Sequence, residues 1–120
     1  IGVIPYFSLA KGFLAGKYRS ADTARGADAS PRAGAALTYA TPAGLALVDE
    51  LERIGAAHDA SIATAALAWL RAQPTVVAPL ASASRVDQVA DLLASATLAL
   101  SSDELTALDA ASTSFVSRPA

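Results

Sequence analysis

Apolar and polar positions along this 120-residue chain follow two patterns. Residues 1–7 and 76–80 are nearly continuous apolar runs, short and rich in β-branched side chains. Such runs predict strands buried on both faces, as in a parallel sheet covered by helices. Pro5 falls near the end of the first run, where a ladder tolerates a missing N–H. Most other segments repeat with helical spacing. Leu47, Leu51, Ile54 and His58 share one face, with Val48 beside them, while Asp49, Glu50, Glu52 and Arg53 lie mostly elsewhere. Thr41 as N-cap and Pro42 in the first turn set the start of that helix, which the spacing predicts over residues 42–57. A second helix is predicted from Ser61 to about Ala72, with Ile62, Ala65, Ala66, Trp69 and Leu70 giving a wide apolar surface and Gln73-Pro74 stopping it.

A third helix follows the second strand. Ser84 is its expected N-cap, Asp87 and Gln88 lie in its first turn, and Val86, Val89, Leu92 and Leu93 form its stripe. The fourth is signalled by Ser101 and Glu104 as a capping box, with Leu100 and Leu105 placed for a hydrophobic staple and Leu105 and Leu108 on the buried side. Residues 12–16, bounded by glycines, predict one helical turn. Residues 20–39 show no sustained period and read as a long loop, either a solvated excursion or a lid over a ligand. Residues 117–120 are expected to fray. The resulting order is strand, loop, two helices, strand, two helices. Two strands alone leave edges open. Either the chain oligomerises heavily or, as the preferred expectation, its other strands come from an N-terminal portion outside this chain, which opens at Ile1 inside a strand-like run.

Composition narrows the chemistry. Net charge is −2, so nothing overall points to nucleic acid, and the absence of cysteine excludes disulfides, thiol chemistry and thiolate metal sites. A single histidine argues against a zinc or di-iron centre. No apolar run reaches the ~18 residues of a membrane span, and no signal-peptide pattern opens the chain, so a cytoplasmic protein is expected. Charge is skewed along the sequence. Residues 1–41 carry five cations (Lys11, Lys17, Arg19, Arg25, Arg32) against two acids, and residues 42–120 carry four against nine. A strand ending in a small-residue, cationic loop presents N–H groups and charge to an anion. The turn at residues 81–85, leading into a helix N-terminus with Arg85 beside it, has the same character. His58 reads as an end-of-helix residue with no obvious catalytic partner, and Trp69 as core.

The motifs also carry a resemblance. Tyr6-Phe7-Ser8-Leu9-Ala10-Lys11-Gly12-Phe13-Leu14-Ala15-Gly16-Lys17-Tyr18-Arg19 resembles the strand-seven segment of the aldo-keto reductases. Ala68-Trp69-Leu70-Arg71-Ala72-Gln73-Pro74 resembles the helix before strand eight. Val77-Ala78-Pro79-Leu80-Ala81-Ser82-Ala83-Ser84-Arg85-Val86-Asp87-Gln88 resembles strand eight and its nucleotide-binding turn, and residues 100–109 resemble the closing helix.

The resemblance implies an α/β fold: the last two βα units plus closing helix of a (β/α)8 TIM barrel, with residues 1–120 a partial barrel domain whose N-terminal part is absent. The loops after the last two strands are a habitual phosphate site of that fold. It further implies NADPH, with Tyr6 stacked on the nicotinamide. Phe7, Ser8, Leu9, Ala10 and Lys11 would wrap the pyrophosphate, with Lys17 adding charge. Ser82, Ser84, Arg85, Gln88 and Asp91 would hold the adenosine end, Arg85 at the 2′-phosphate. Relatives often carry Ser-Pro at Phe7-Ser8, Gly at Ser82 and Glu-Asn at Asp91-Leu92. The last difference removes one adenine contact.

The family's catalytic residues lie on earlier strands, so no catalytic residue is expected here. The implied parent reduces a small carbonyl substrate by hydride transfer, and the piece alone is expected to be inactive. The other readings are a nucleotide-binding regulatory subunit of the same fold and a truncated piece without function. No nucleic-acid or membrane partner is expected. Substrate and oligomeric state are not readable from these residues.

Overall fold

The computed structural model describes residues 1–20 and 33–116. Helix α2 (Pro42–Ala57) is the element on which the others gather. It begins as its sequence dictates, with Thr41 extended and its hydroxyl accepting from Gly44 N at 3.1 Å. Gly44 is buried, and a Cβ there would run into the Tyr39 carbonyl oxygen, so glycine is required by close approach. One face of α2 sends Leu47, Leu51 and Ile54 into a cluster with Ala65, Ala66 and Leu108. Val48, one residue round the helix, joins a second cluster with Phe13, Tyr18, Ala33 and Ala36.

Helix α3 (Ile62–Arg71) starts where Ser61 accepts from Thr64 N at 3.1 Å. Helix α5 (Ser102–Val116) closes the core through Leu108. Its capping box forms both ways: Ser101 N donates to Glu104 Oε2 at 2.8 Å, and Glu104 N donates to Ser101 Oγ at 3.2 Å. Trp69 packs on the core and donates through Nε1 to Asp109 Oδ1 at 2.8 Å, which fixes it as a bridge from α3 to α5. Helix α4 (Asp87–Ser95) lies against α3.

Three expectations need correction. The span 20–39 is not loop throughout: Ala33–Leu37 forms a short helix, α1. Ala33 and Ala36 point into the core. A five-residue Ala-Gly-Ala-Ala-Leu turn is too short to show a period, though alanine favours it. Residues 21–32, and with them any lid, lie outside the described residues, as do residues 117–120 expected to fray.

The strands are also reduced. Among the described residues, the α/β pattern survives as one isolated parallel bridge between Val3 and Val76. Val3 N donates to Thr75 O at 2.8 Å and Val77 N donates to Val3 O at 2.9 Å. A parallel ladder repeats every two residues, so its next rungs need N–H groups from Pro5 and Pro79, and proline has none. The chain makes one skewed contact instead, Leu80 N to Pro5 O at 3.1 Å.

Nor are these runs buried. Val3, Ile4, Val77 and Leu80 are exposed, because no described element covers them. The described residues are therefore mostly helical. No described helix is long and apolar enough to cross a membrane.

Candidate functional site

The two segments singled out for anion binding meet at the Pro5 carbonyl. Leu80 N donates to it from one side, and Ser8 Oγ donates to it at 3.0 Å from the other. Ser8 is thereby turned inward and buried, its hydroxyl committed to shaping the loop. Beyond it the backbone turns sharply. Ala10, Lys11 and Gly12 have φ of 47°, 60° and 96°, three successive left-handed residues of which only one is glycine. Left-handed non-glycine residues cost free energy and collect where a loop must present its backbone in a fixed way. Ala10 N donates to Phe7 O at 2.8 Å, so Ala10 closes the turn through its own amide. Leu9 O receives both Gly12 N and Leu14 N, at 2.9 and 3.1 Å. Ala10, Lys11 and Gly12 lie within the short 3-10 segment Ala10–Ala15, which Gly16, at φ 76°, ends.

The side chains of this segment divide by direction. Leu9 packs against the core, and Phe13 is buried. Tyr6 and Phe7 stand outward, 71% and 61% exposed, with ring centroids 4.6 Å apart in an edge-to-face arrangement. Lys11 Nζ lies 5.5 Å from the Phe7 ring centroid, within cation–π range. Lys17 is exposed.

The second segment differs from expectation at its helix start. Ser84 is not the N-cap of α4. The helix begins at Asp87, the preceding Val86 is already helical (φ −62°, ψ −39°), and no side-chain cap bond forms there. Gln88 reaches back instead: its Oε1 accepts from Ser84 N at 2.9 Å and from Arg85 N at 3.3 Å, with Ser84 Oγ also at 3.3 Å. The return half of a capping box forms without the forward half, because the amides that Ser84 would serve lie beyond its reach once the helix starts three residues later. Ser82, Ser84 and Arg85 are exposed.

Arg85 grips Asp87, Nε to Oδ1 at 3.0 Å and Nη2 to Oδ2 at 2.8 Å. That hydrogen bonding holds the Asp87 carboxyl below its usual pKa, and Lys17, from the first segment, adds a weaker pull in the same direction. The two cationic loops thus share one electrostatic neighbourhood. Asp91 sits a turn further along α4, where its carbonyl accepts from Thr64 Oγ1 at 3.0 Å. An open cleft of about 240 Å³ runs between Asp91, Thr64, Ser61 and His58; of the residues expected to bind cofactor, only Asp91 lines it.

Sequence reasoning missed three polar links. His58 has a carboxylate partner after all: its Nε2 lies 2.8 and 3.0 Å from the two Glu104 oxygens, joining the end of α2 to the start of α5. The Ser101 amide, and after it His58, lower the Glu104 pKa. Thr64 and Arg71 tie α3 to α4. All three links span more than 20 positions of sequence, and no local pattern signals them. Among the described residues, no group of three or more His, Cys, Asp or Glu is arranged to hold a metal ion.

No curated protein matches the chain closely enough to stand as a named relative. The model of the aldo/keto reductase family matches residues 1–113, from before the outward Tyr6 through both cationic segments and most of α5. That span is nearly the whole of the 120 residues, and the chain belongs to the aldo/keto reductase family, a family of oxidoreductases.

Proposed function

We propose that this chain is the cofactor-holding C-terminal part of an NADPH-dependent aldo-keto reductase that reduces an aldehyde or ketone to an alcohol. The observation that carries the reading is the juxtaposition of the two segments at Pro5 O, which joins the left-handed turn at Ala10–Gly12 and its outward Tyr6 to the segment that leads to Arg85. One loop brings an outward aromatic ring, strained backbone and cations; the other brings a guanidinium beside a helix start. That donor set fits an extended polyanionic ligand with a planar ring at one end and an extra phosphate at the other.

When bound, NADPH supplies the hydride that adds to the carbonyl carbon. The parts played by this chain are holding and orienting. Tyr6 offers a ring face for the nicotinamide. Phe7, Ser8, Leu9, Ala10 and Lys11 form the strained turn along the pyrophosphate, with Lys17 charge nearby. Ser82, Ser84, Arg85, Gln88 and Asp91 form the adenosine end, with Arg85 meeting the 2′-phosphate. No group on this chain is assigned the proton-donating role, which falls to barrel strands outside it.

The exposed apolar runs support the partial-barrel reading. Val3, Ile4, Val77 and Leu80 form the kind of surface that a barrel's other strands and core would cover.

Steady-state assays test this directly. Purified residues 1–120 mixed with NADPH and a simple aromatic aldehyde are expected to consume no cofactor, whereas the full-length protein is expected to turn over. Turnover by the 120-residue chain would refute the partial-barrel reading. A full-length protein that neither binds NADPH nor oxidises it would refute the reductase reading.

A further inference from the structure

We infer that Thr64 and Arg71 are positioning residues that set the orientation of α4 and so aim Arg85 and Gln88 at the adenosine end of the site. The inference rests on the NADPH reading above. Its starting point is how little apolar packing α4 has. Val86, at its start, is 89% exposed, Leu93 is 69% exposed, Val89 is exposed as well, and Ser95 alone of the helix is buried. Its principal neighbour, α3, meets it along the row Thr64, Leu67, Ala68 and Arg71, where Leu67 is the one large apolar side chain and the two ends of the row are polar.

Polar bonds do the locking. Thr64 is buried, and its Oγ1 meets the Asp91 carbonyl oxygen, which only accepts; Thr64 therefore donates. Its single proton is then used, so Ser61 Oγ, 2.9 Å away, donates to Thr64 Oγ1, while Thr64 N donates back to Ser61 Oγ. The relay runs from the N-cap of α3 to the middle of α4 with each donor and acceptor in its one allowed role. At the other end Arg71 forks over the last turn, Nε to Ser95 O at 3.2 Å and Nη2 to Leu98 O at 2.7 Å. A cation on the final carbonyls is the favoured sign at a helix C-terminus. Asp91, Ser95 and Leu98 are thus three fixed points, and all lie at or beyond the middle of the helix. The first turn, with Asp87 and Gln88, projects from them. At 1.5 Å per residue a tilt of about 5° about Ser95 swings that turn by roughly 1 Å, enough to spoil charge-assisted bonds to a phosphate.

The test is NADPH and NADH binding by fluorescence titration in the full-length protein, with adenosine 2′,5′-bisphosphate as competitor. Thr64→Val and Arg71→Met are each expected to raise the Kd for NADPH about three- to tenfold while NADH moves less than about twofold, as for loss of one aimed hydrogen bond. The competitor is expected to weaken in parallel, and Thr64→Ser, which keeps the hydroxyl, is expected to restore NADPH binding. In an Arg85→Ala background the Thr64→Val effect should largely vanish, since the two act through one contact.

A purely structural role would lower the fraction of protein able to bind and leave its Kd alone; that result, or a Thr64→Val effect undiminished by Arg85→Ala, overturns the inference. Failure of the underlying reading looks different: the parent protein itself shows no NADPH saturation, or Arg85→Ala leaves NADPH untouched.

Discussion

The helical layer and the paired runs at residues 1–7 and 76–80 are built from the same kinds of residue and meet opposite fates. Leu51, Ile54 and Leu108 are fully buried, while Val77 is 68% exposed and Ile4 stands in solvent beside it in the chain order of the partner run. Hydrophobicity does not separate them; hydrogen-bond closure does. A helix satisfies its backbone within the segment, so α2 needs neighbours only for its side chains. A strand owes its backbone bonds to other strands on both sides. With Pro5 and Pro79 sitting where the next rungs would fall, these two runs give each other one bridge and little more. The core of α2, α3 and α5 closes on itself, whereas the paired runs, and with them much of α4, leave apolar side chains uncovered.

Substitution breaks or upholds this contrast most sharply in the core. Leu51→Ala is expected to cost the 120-residue chain roughly 2–5 kcal/mol, the usual range for a truncated, fully buried leucine. Val77→Ser in the same chain is expected to change stability by less than about 0.5 kcal/mol, as surface changes do. Under the partial-barrel reading Val77→Ser should become costly in a longer chain, since a covered strand position would then hold an unpaired hydroxyl. Urea unfolding of both forms measures all three. Equal losses at Leu51 and Val77 in the short chain would erase the distinction between the layers.

The same distinction governs what the residues alone reveal. Helix α2 was legible to its ends because every signal is local: Thr41-Pro42 at the start and Leu47, Leu51, Ile54 at helical spacing. The α5 box was legible for the same reason. The apolar runs predicted two buried strands, and the described residues give one isolated bridge with both runs exposed, because one sequence cannot show whether pairing partners are present. Ser84 was misread because Gln88, not a hydroxyl, serves the amides before α4. The family was legible from motif order in the loops, where side-chain identity is specific. The bonds of Thr64, Arg71 and His58 were not, since each joins residues brought together only by packing.

Next in size is the loop end of the comparison. Under the NADPH reading, Arg85→Ala in the full-length protein is expected to weaken NADPH about 10- to 100-fold, the worth of hydrogen bonds to a charged group, and NADH far less. Equal losses for the two nucleotides would take Arg85 away from the 2′-phosphate.

The helical layer answers with a smaller, pH-dependent effect at Glu104. Ser101 N–H, with His58 behind it, lowers the folded pKa of Glu104 below its unfolded value. The carboxylate therefore adds stability above the ordinary glutamate pKa of ~4.3, and that increment is lost as pH falls through the lower, folded value. Glu104→Gln is expected to cost about 1 kcal/mol at neutral pH and to flatten this part of the acid limb. Thermal unfolding across acidic pH reads it. An acid limb unchanged by the substitution would mean the α2–α5 junction does not depend on the charge.

The smallest expected effect lies back in the less covered part, at Asp87. Its carboxylate takes two hydrogen bonds from Arg85, the same donors that a 2′-phosphate would use, and its lowered pKa keeps it ionised and competing. Asp87→Asn keeps the volume and one acceptor but removes the charge. The pair is exposed and solvent screens it, so NADPH should bind only modestly more tightly, up to about fivefold, while NADH is unmoved. Added salt should shrink the gain, because it screens the same repulsion. A loss of NADPH affinity would reverse the assignment: Asp87 would then be the strut that aims the guanidinium, and the start of α4 would be built in advance for its ligand even though the runs around it wait for partners.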